Sequence, residues 1–162
     1  DEDRLFHFCV YLADTLARAA GTVKNKLMGV DAQHGYYAGR HVTPEILASL
    51  GITMVKDAFV HPIITAHEET GRPVLYISRL STQSLTGYSE DEGNMLLDQL
   101  LDHSENPEFV YEHVWAPGDF VIWDNRCLNH ARTDFSSGER RLLRRTTVQG
   151  IRPAAAQTMH AA

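Results

Sequence analysis

Several strand-length runs in this chain are joined by connections long enough only for a tight turn. Residues 61–64 and 74–77 favour β structure, and between them lies Glu69-Thr70-Gly71-Arg72-Pro73. Residues 109–115 and 120–123 are likewise separated by Ala116-Pro117-Gly118-Asp119, a Pro-Gly turn. Parallel neighbours would need a crossover of a dozen or more residues, so these pairs predict antiparallel sheet. A last strand is expected over residues 141–148.

Helices are expected outside that sheet. Leu5, Phe8, Cys9, Leu12, Leu16 and Ala20 recur at three- and four-residue steps, which predicts a helical stripe within residues 5–28, punctuated by Gly21 and Gly29. Thr43 and Pro44 open a second, short helix that Gly51 closes. Ser89 and Glu92 have the spacing of a capping box. They predict a helix over residues 90–103 with Met95, Leu96, Leu100 and Leu101 on its buried side. With no internal repeat and no linker, residues 1–153 read as part of one domain, and residues 154–162 as a loose tail.

At 162 residues and 43% hydrophobic, the chain can bury a real core, and no run approaches a membrane span. Fifteen Lys and Arg against twenty-one Asp and Glu leave a net charge of −6. That balance speaks against nucleic acid and acidic membranes as partners and favours a small ligand. Cys9 and Cys127 are too few and too far apart for a disulfide framework or a zinc motif, which fits a reducing compartment. The acidic opening Asp1-Glu2-Asp3 does not suit a signal peptide, and the cytoplasm is the expected location.

The most informative stretch is Trp123-Asp124-Asn125-Arg126-Cys127-Leu128-Asn129-His130, followed by Arg140-Arg141-Leu142-Leu143-Arg144-Arg145. In a strand Arg141 and Arg145 would share one face, about 13 Å apart, while Arg140 and Arg144 share the other. Arg140 and Arg144 read as a solvated face. An inward guanidinium is costly unless an anion meets it, and its planar fork matches a carboxylate. Asp124 and Asn125 are expected to hold the turn before His130 through Asx-type hydrogen bonds, and Trp123 to lie in the core. His34, His41 and His61 have no partner at metal-ligand spacing and read as ordinary structural histidines.

These segments, with His61-Pro62, His67, Thr70-Gly71-Arg72 and Leu75-Tyr76, resemble the taurine dioxygenase-like family of iron(II)- and 2-oxoglutarate-dependent oxygenases. The resemblance runs from about Leu5 to Pro153. It implies a mainly antiparallel α+β fold, a double-stranded β-helix (jelly roll, cupin-like) with flanking helices and its N-terminal strands missing. It also implies that His130 is the distal iron ligand, that Arg141 holds the distal carboxylate of 2-oxoglutarate, and that Arg145 meets an anionic group of the substrate. Neutral imidazole suits Fe(II) in a two-histidine, one-carboxylate triad.

Two departures from the family accompany these matches. The H-x-D or H-x-E motif that supplies the other two iron ligands belongs upstream of the matching region. His67-Glu68-Glu69 and His103-Ser104-Glu105 stand at positions the family does not use for iron. Arg4 replaces a threonine that in the family helps hold 2-oxoglutarate. A truncated product is expected, with exposed sheet edges that favour a homo-oligomer or a partner chain. The expected activity is hydroxylation of a small anionic acid, of the sulfonate or carboxylate class. The alternative is a non-catalytic remnant or an anion-binding module without metal.

Overall fold

The computed structural model describes residues 6–19, 21–36, 39, 41–49, 51–52, 58–132, 142 and 144–157. In chain order the strands are β1 (Phe6–Tyr11), β2 (Asp31–His34), β3 (Phe59–Pro62), β4 (Ile64–Ala66), β5 (Pro73–Leu75), β6 (Thr82–Leu85), β7 (Val110–Val114) and β8 (Leu128–Arg132). The helices are α1 (Leu12–Arg18), α2 (Gly21–Leu27), α3 (Pro44–Ser49) and α4 (Glu90–Ser104). All strand pairing among them is antiparallel, in three small sheets ordered β7-β1-β8, β3-β2-β6 and β4-β5. Antiparallel sheet with helices packed on it is therefore what forms.

The first of the two short strand connections and the two helix caps behave as the sequence predicts. β4 and β5 make a hairpin through residues 67–72, closed by His67 N–H donating to the Arg72 carbonyl at 2.9 Å. Thr43 Oγ1 accepts from the Ile46 N–H of α3, and Gly51 follows that helix at φ +68°. At α4 the Ser89–Glu92 capping box is complete, and Gly93, Leu96, Leu97, Leu100, Leu101 and Ser104 are buried. Met95, expected on that face, is 63% exposed. It sits one residue off a stripe whose members recur at three and four, and Leu97 takes the inward position.

The core lies where α1, α2 and α4 meet β2, β4, β5 and β6. Leu16, Leu27, Ile63, Leu75 and Leu97 are at most 1% exposed there. Each such side chain contributes about 1.5–3 kcal/mol of burial.

Three expected elements do not form, each for a packing reason. Residues 6–11 are not the start of a helix but β1, the central strand between β7 and β8. Phe6, Phe8, Val10 and Tyr11 favour a strand, and two flanking ladders outweigh the helical spacing of Leu5, Phe8, Cys9 and Leu12. Residues 120–123 form no strand; Phe120 and Ile122 are 85% and 81% exposed. Of the expected strand 141–148, Arg141 and Leu143 lie outside the described residues, and residues 142 and 144–148 are not in a strand. No described neighbour offers a ladder to either segment, and an isolated extended run gains nothing from pairing.

The tail expected to be loose is docked where it begins. Ala66 N–H donates to the Ala154 carbonyl at 2.9 Å and Ala156 N–H to the Ile64 carbonyl at 3.1 Å, and Ala156 joins the core. Small side chains let that backbone lie against β4.

Candidate functional site

The turn at residues 124–127 presents β8, and with it His130, to the rest of the molecule. Asp124 organises it. Its Oδ1 accepts from the Arg126 backbone N–H at 2.9 Å, an Asx turn, and from Arg126 Nε at 2.8 Å. Oδ2 accepts from the same guanidinium and meets His67 Nε2 at 3.0 Å. Thr70 N–H points at His67 Nδ1, so that nitrogen holds the lone pair and Nε2–H donates to Asp124. Arg126 also reaches Glu68 at 2.9 Å and Glu69 at 3.4 Å. The β4–β5 hairpin is thereby bolted to the turn that precedes β8.

These contacts set the charges. Hydrogen bonds from the Arg126 side chain, opposed by burial and aided by the Arg126 backbone and His67, hold the Asp124 carboxyl far below the usual carboxylate range. Burial and then the Asp124 charge push the Cys127 thiol up. His67, Asp124 and Cys127 can each place a ligand atom within 4.8 Å of the others. Both Asp124 oxygens are already committed to the Arg126 guanidinium and to His67, which leaves ion pairing and hydrogen bonding as the work of this group. The cluster is a structural clamp.

His130 stands in β8 opposite Cys9 of β1. Its ring centre is 4.8 Å from that of Trp123, which covers one side of it while the residue as a whole stays open to solvent. Trp123 itself is half-buried rather than core, and its Nε1–H donates to Asn125 Oδ1 at 3.1 Å. Burial, followed by the charge of Arg145, lowers the His130 pKa, so a neutral imidazole with a lone pair is the favoured form. Of the expected site residues the structure thus brings Arg145 into the electrostatic field of His130. Arg141 and Arg4 lie outside the described residues.

The two H-x-E strings are otherwise engaged. His103 Nε2 bonds the Thr15 carbonyl at 3.1 Å and Glu105 pairs with Arg79 at 2.7 Å. Among the described residues no further imidazole or carboxylate joins His130 in a group of three possible ligands. A neutral histidine suits one corner of an iron site, but the described residues do not supply the triangle.

The family model for the taurine catabolism dioxygenase TauD, TfdA family matches residues 20–147. The chain belongs to that family. A pentalenolactone F synthase of Streptomyces arenae is 42% identical over 85 residues, 52% of this chain and 28% of that protein. An alpha-ketoglutarate-dependent 2,4-dichlorophenoxyacetate dioxygenase of Burkholderia sp. is 36% identical over 129 residues, 80% of this chain and 43% of its own length. A taurine dioxygenase of Burkholderia xenovorans superposes with a TM-score of 0.67 at 25% identity, covering 82% of this chain and 42% of that one. The chain spans less than half the length of each of these relatives. For this member of the TauD/TfdA family, the Asx bond of Asp124 in the turn at 124–127 follows the sequence expectation, whereas its clamp onto His67 does not show in the sequence. His67 entered only as part of the hairpin, and its 57-residue separation from Asp124 hides the pairing.

Proposed function

We propose that this chain is the anion-gripping and distal-histidine portion of an Fe(II)/2-oxoglutarate-dependent dioxygenase domain that hydroxylates a small organic anion. In this reading residues 1–153 are part of one oxygenase domain of double-stranded β-helix type, working in the cytoplasm. His130 would hold iron, Arg141 the distal carboxylate of 2-oxoglutarate, and Arg145 the anionic group of the substrate; Arg4 would stand beside the cosubstrate. The iron and 2-oxoglutarate would supply the oxidation, and the protein placement and charge matching. The observation that carries the reading is the neutral His130 imidazole within the field of Arg145, on the strand that follows the clamped turn. Carboxylate and sulfonate substrates fit it, since the relatives' names include a phenoxyacetate dioxygenase and a taurine dioxygenase.

Titration calorimetry with 2-oxoglutarate tests it. The purified chain should bind, and Arg141→Ala should weaken binding by about 1.5–3 kcal/mol, the worth of a charge-assisted hydrogen bond. No binding, or an unchanged affinity in the variant, refutes the assignment.

A second reading is favoured because, among the described residues, no group of three possible ligands includes His130. In it the chain binds an anion without metal. Stoichiometric Fe(II) uptake in the presence of 2-oxoglutarate, abolished by His130→Ala, would exclude it.

We also propose that another polypeptide, either a second copy or a different chain, covers the exposed apolar side chains Phe120, Ile122, Leu142, Val148 and Ile151, which are 67–90% exposed. A monodisperse monomer in light scattering that binds no apolar dye would end this reading.

A further inference from the structure

A second cluster of titratable side chains lies away from His130. β2 pairs with β3 in the register Ala32↔His61, so His34, two residues beyond Ala32, falls diagonally from His61 on the same sheet face. Tyr76, whose N–H donates to the Ile63 carbonyl at 2.7 Å, closes the third side. The ring centres stand 6.0 Å apart for His34 and His61, 5.5 Å for His34 and Tyr76, and 6.0 Å for His61 and Tyr76. His34 is 8% exposed. Two nitrogens in this triangle, His34 Nε2 and His61 Nδ1, are buried and have no hydrogen-bond partner among the described residues. A buried polar atom left unpaired costs about 1–3 kcal/mol, and two in one triangle of rings point to something that joins them.

We infer that His34 and His61 form a binding site for a divalent late transition ion such as Zn²⁺, separate from the His130 region. With metal–nitrogen bonds of about 2.0–2.1 Å, two imidazoles sharing an ion stand roughly 5–6.5 Å apart centre to centre, which brackets the observed spacing. The donor chemistry agrees. Burial, reinforced by the neighbouring His61, lowers His34 to a pKa of about 4; burial, then the Arg152 charge, lowers His61. Both rings are therefore neutral at pH 7 and have lone pairs to give.

Thr82 supplies the outer contact. Its Oγ1 lies 3.2 Å from His34 Nδ1 and already accepts the Ser78 N–H at 2.9 Å. Accepting a second hydrogen bond from Nδ1–H would fix the tautomer that frees Nε2, the usual support for a metal-bound histidine. Burial holds the Tyr76 phenol above its ordinary value, so Tyr76 is a wall rather than a ligand, and water completes the coordination shell. Arg152, which donates to the Val60 carbonyl at 3.4 Å, opposes a cation here, while the Asp31 charge favours it. The site is accordingly a two-histidine one of moderate affinity.

Zn²⁺ titration of the intact chain, read by long-range proton–nitrogen NMR of the imidazoles, decides the matter. The expected result is a shift of the His34 Nε2 and His61 Nδ1 resonances together with the first equivalent of metal. His34→Phe and His61→Phe should each weaken that binding step by more than the roughly 10–100-fold typical of losing an outer-shell partner. His130→Ala should leave it in place. Because a buried substitution can unfold the chain, the wild-type resonances stand as an independent readout. If those two nitrogens do not move, or if folded variants bind Zn²⁺ as wild type does, the site does not exist.

Discussion

Replacing Asp124 by asparagine tests the clamp that presents β8. The substitution keeps the shape and one acceptor but removes the charge that Arg126 and His67 bond. Losing a partner from hydrogen bonds to a charged group costs about 1.5–3 kcal/mol. The Asp124 side chain is 30% exposed, and solvent screening brings this to roughly 1–2 kcal/mol. For a chain of this size that is a fall in Tm of about 3–8 °C.

The pH dependence follows from the direction of the shift. The folded-state pKa of Asp124 lies far below its unfolded value near 4. Its contribution is therefore present in full above about pH 4–5 and is lost as the pH falls towards the folded-state pKa. Urea denaturation of wild type and Asp124→Asn at several pH values should show a constant gap from pH 7 to about 5 that narrows in stronger acid. A double-mutant cycle with His67→Phe should give a coupling of at least about 0.5 kcal/mol. A variant within about 0.5 kcal/mol of wild type at pH 7, or a gap that closes between pH 7 and 5, would refute the clamp.

Two further outcomes are expected. His34 has a folded-state pKa of about 4 against 6.5 for the free group. Without added metal, stability should fall by roughly 2–4 kcal/mol as the pH drops from 6.5 to 4. Denaturation curves of His34→Phe lacking most of that slope would support it; an unchanged slope would assign it to other groups. Gly39→Ala should cost at least about 1–3 kcal/mol in the same assay, because an added Cβ would stand 2.0 Å from the Arg79 carbonyl oxygen. A neutral substitution would mean that the backbone contact relaxes freely.

What could be read from the sequence was local or chemical. The β4–β5 hairpin and the capped α4 follow from residues within a turn of one another, where propensity, turn chemistry and capping act. The family follows from residue types at fixed spacing around Trp123, His130 and Arg145. The same sequence misplaced residues 6–11, because their apolar spacing fits either period and only β7 and β8 on both sides decide for a strand. It placed strands at 120–123 and 141–148 that lack a described ladder partner, since propensity forms no sheet without a neighbour.

Pairings across long separations were decided by the tertiary structure alone. His34 and His61 read singly as ordinary histidines; the antiparallel register of β2 and β3 sets them side by side and strands their nitrogens. His67 and Asp124 become one clamp because the hairpin folds back onto the turn before β8. Sequence specified which groups the chain owns and how each segment bends, while burial and register, which depend on every element at once, determined which of those groups meet.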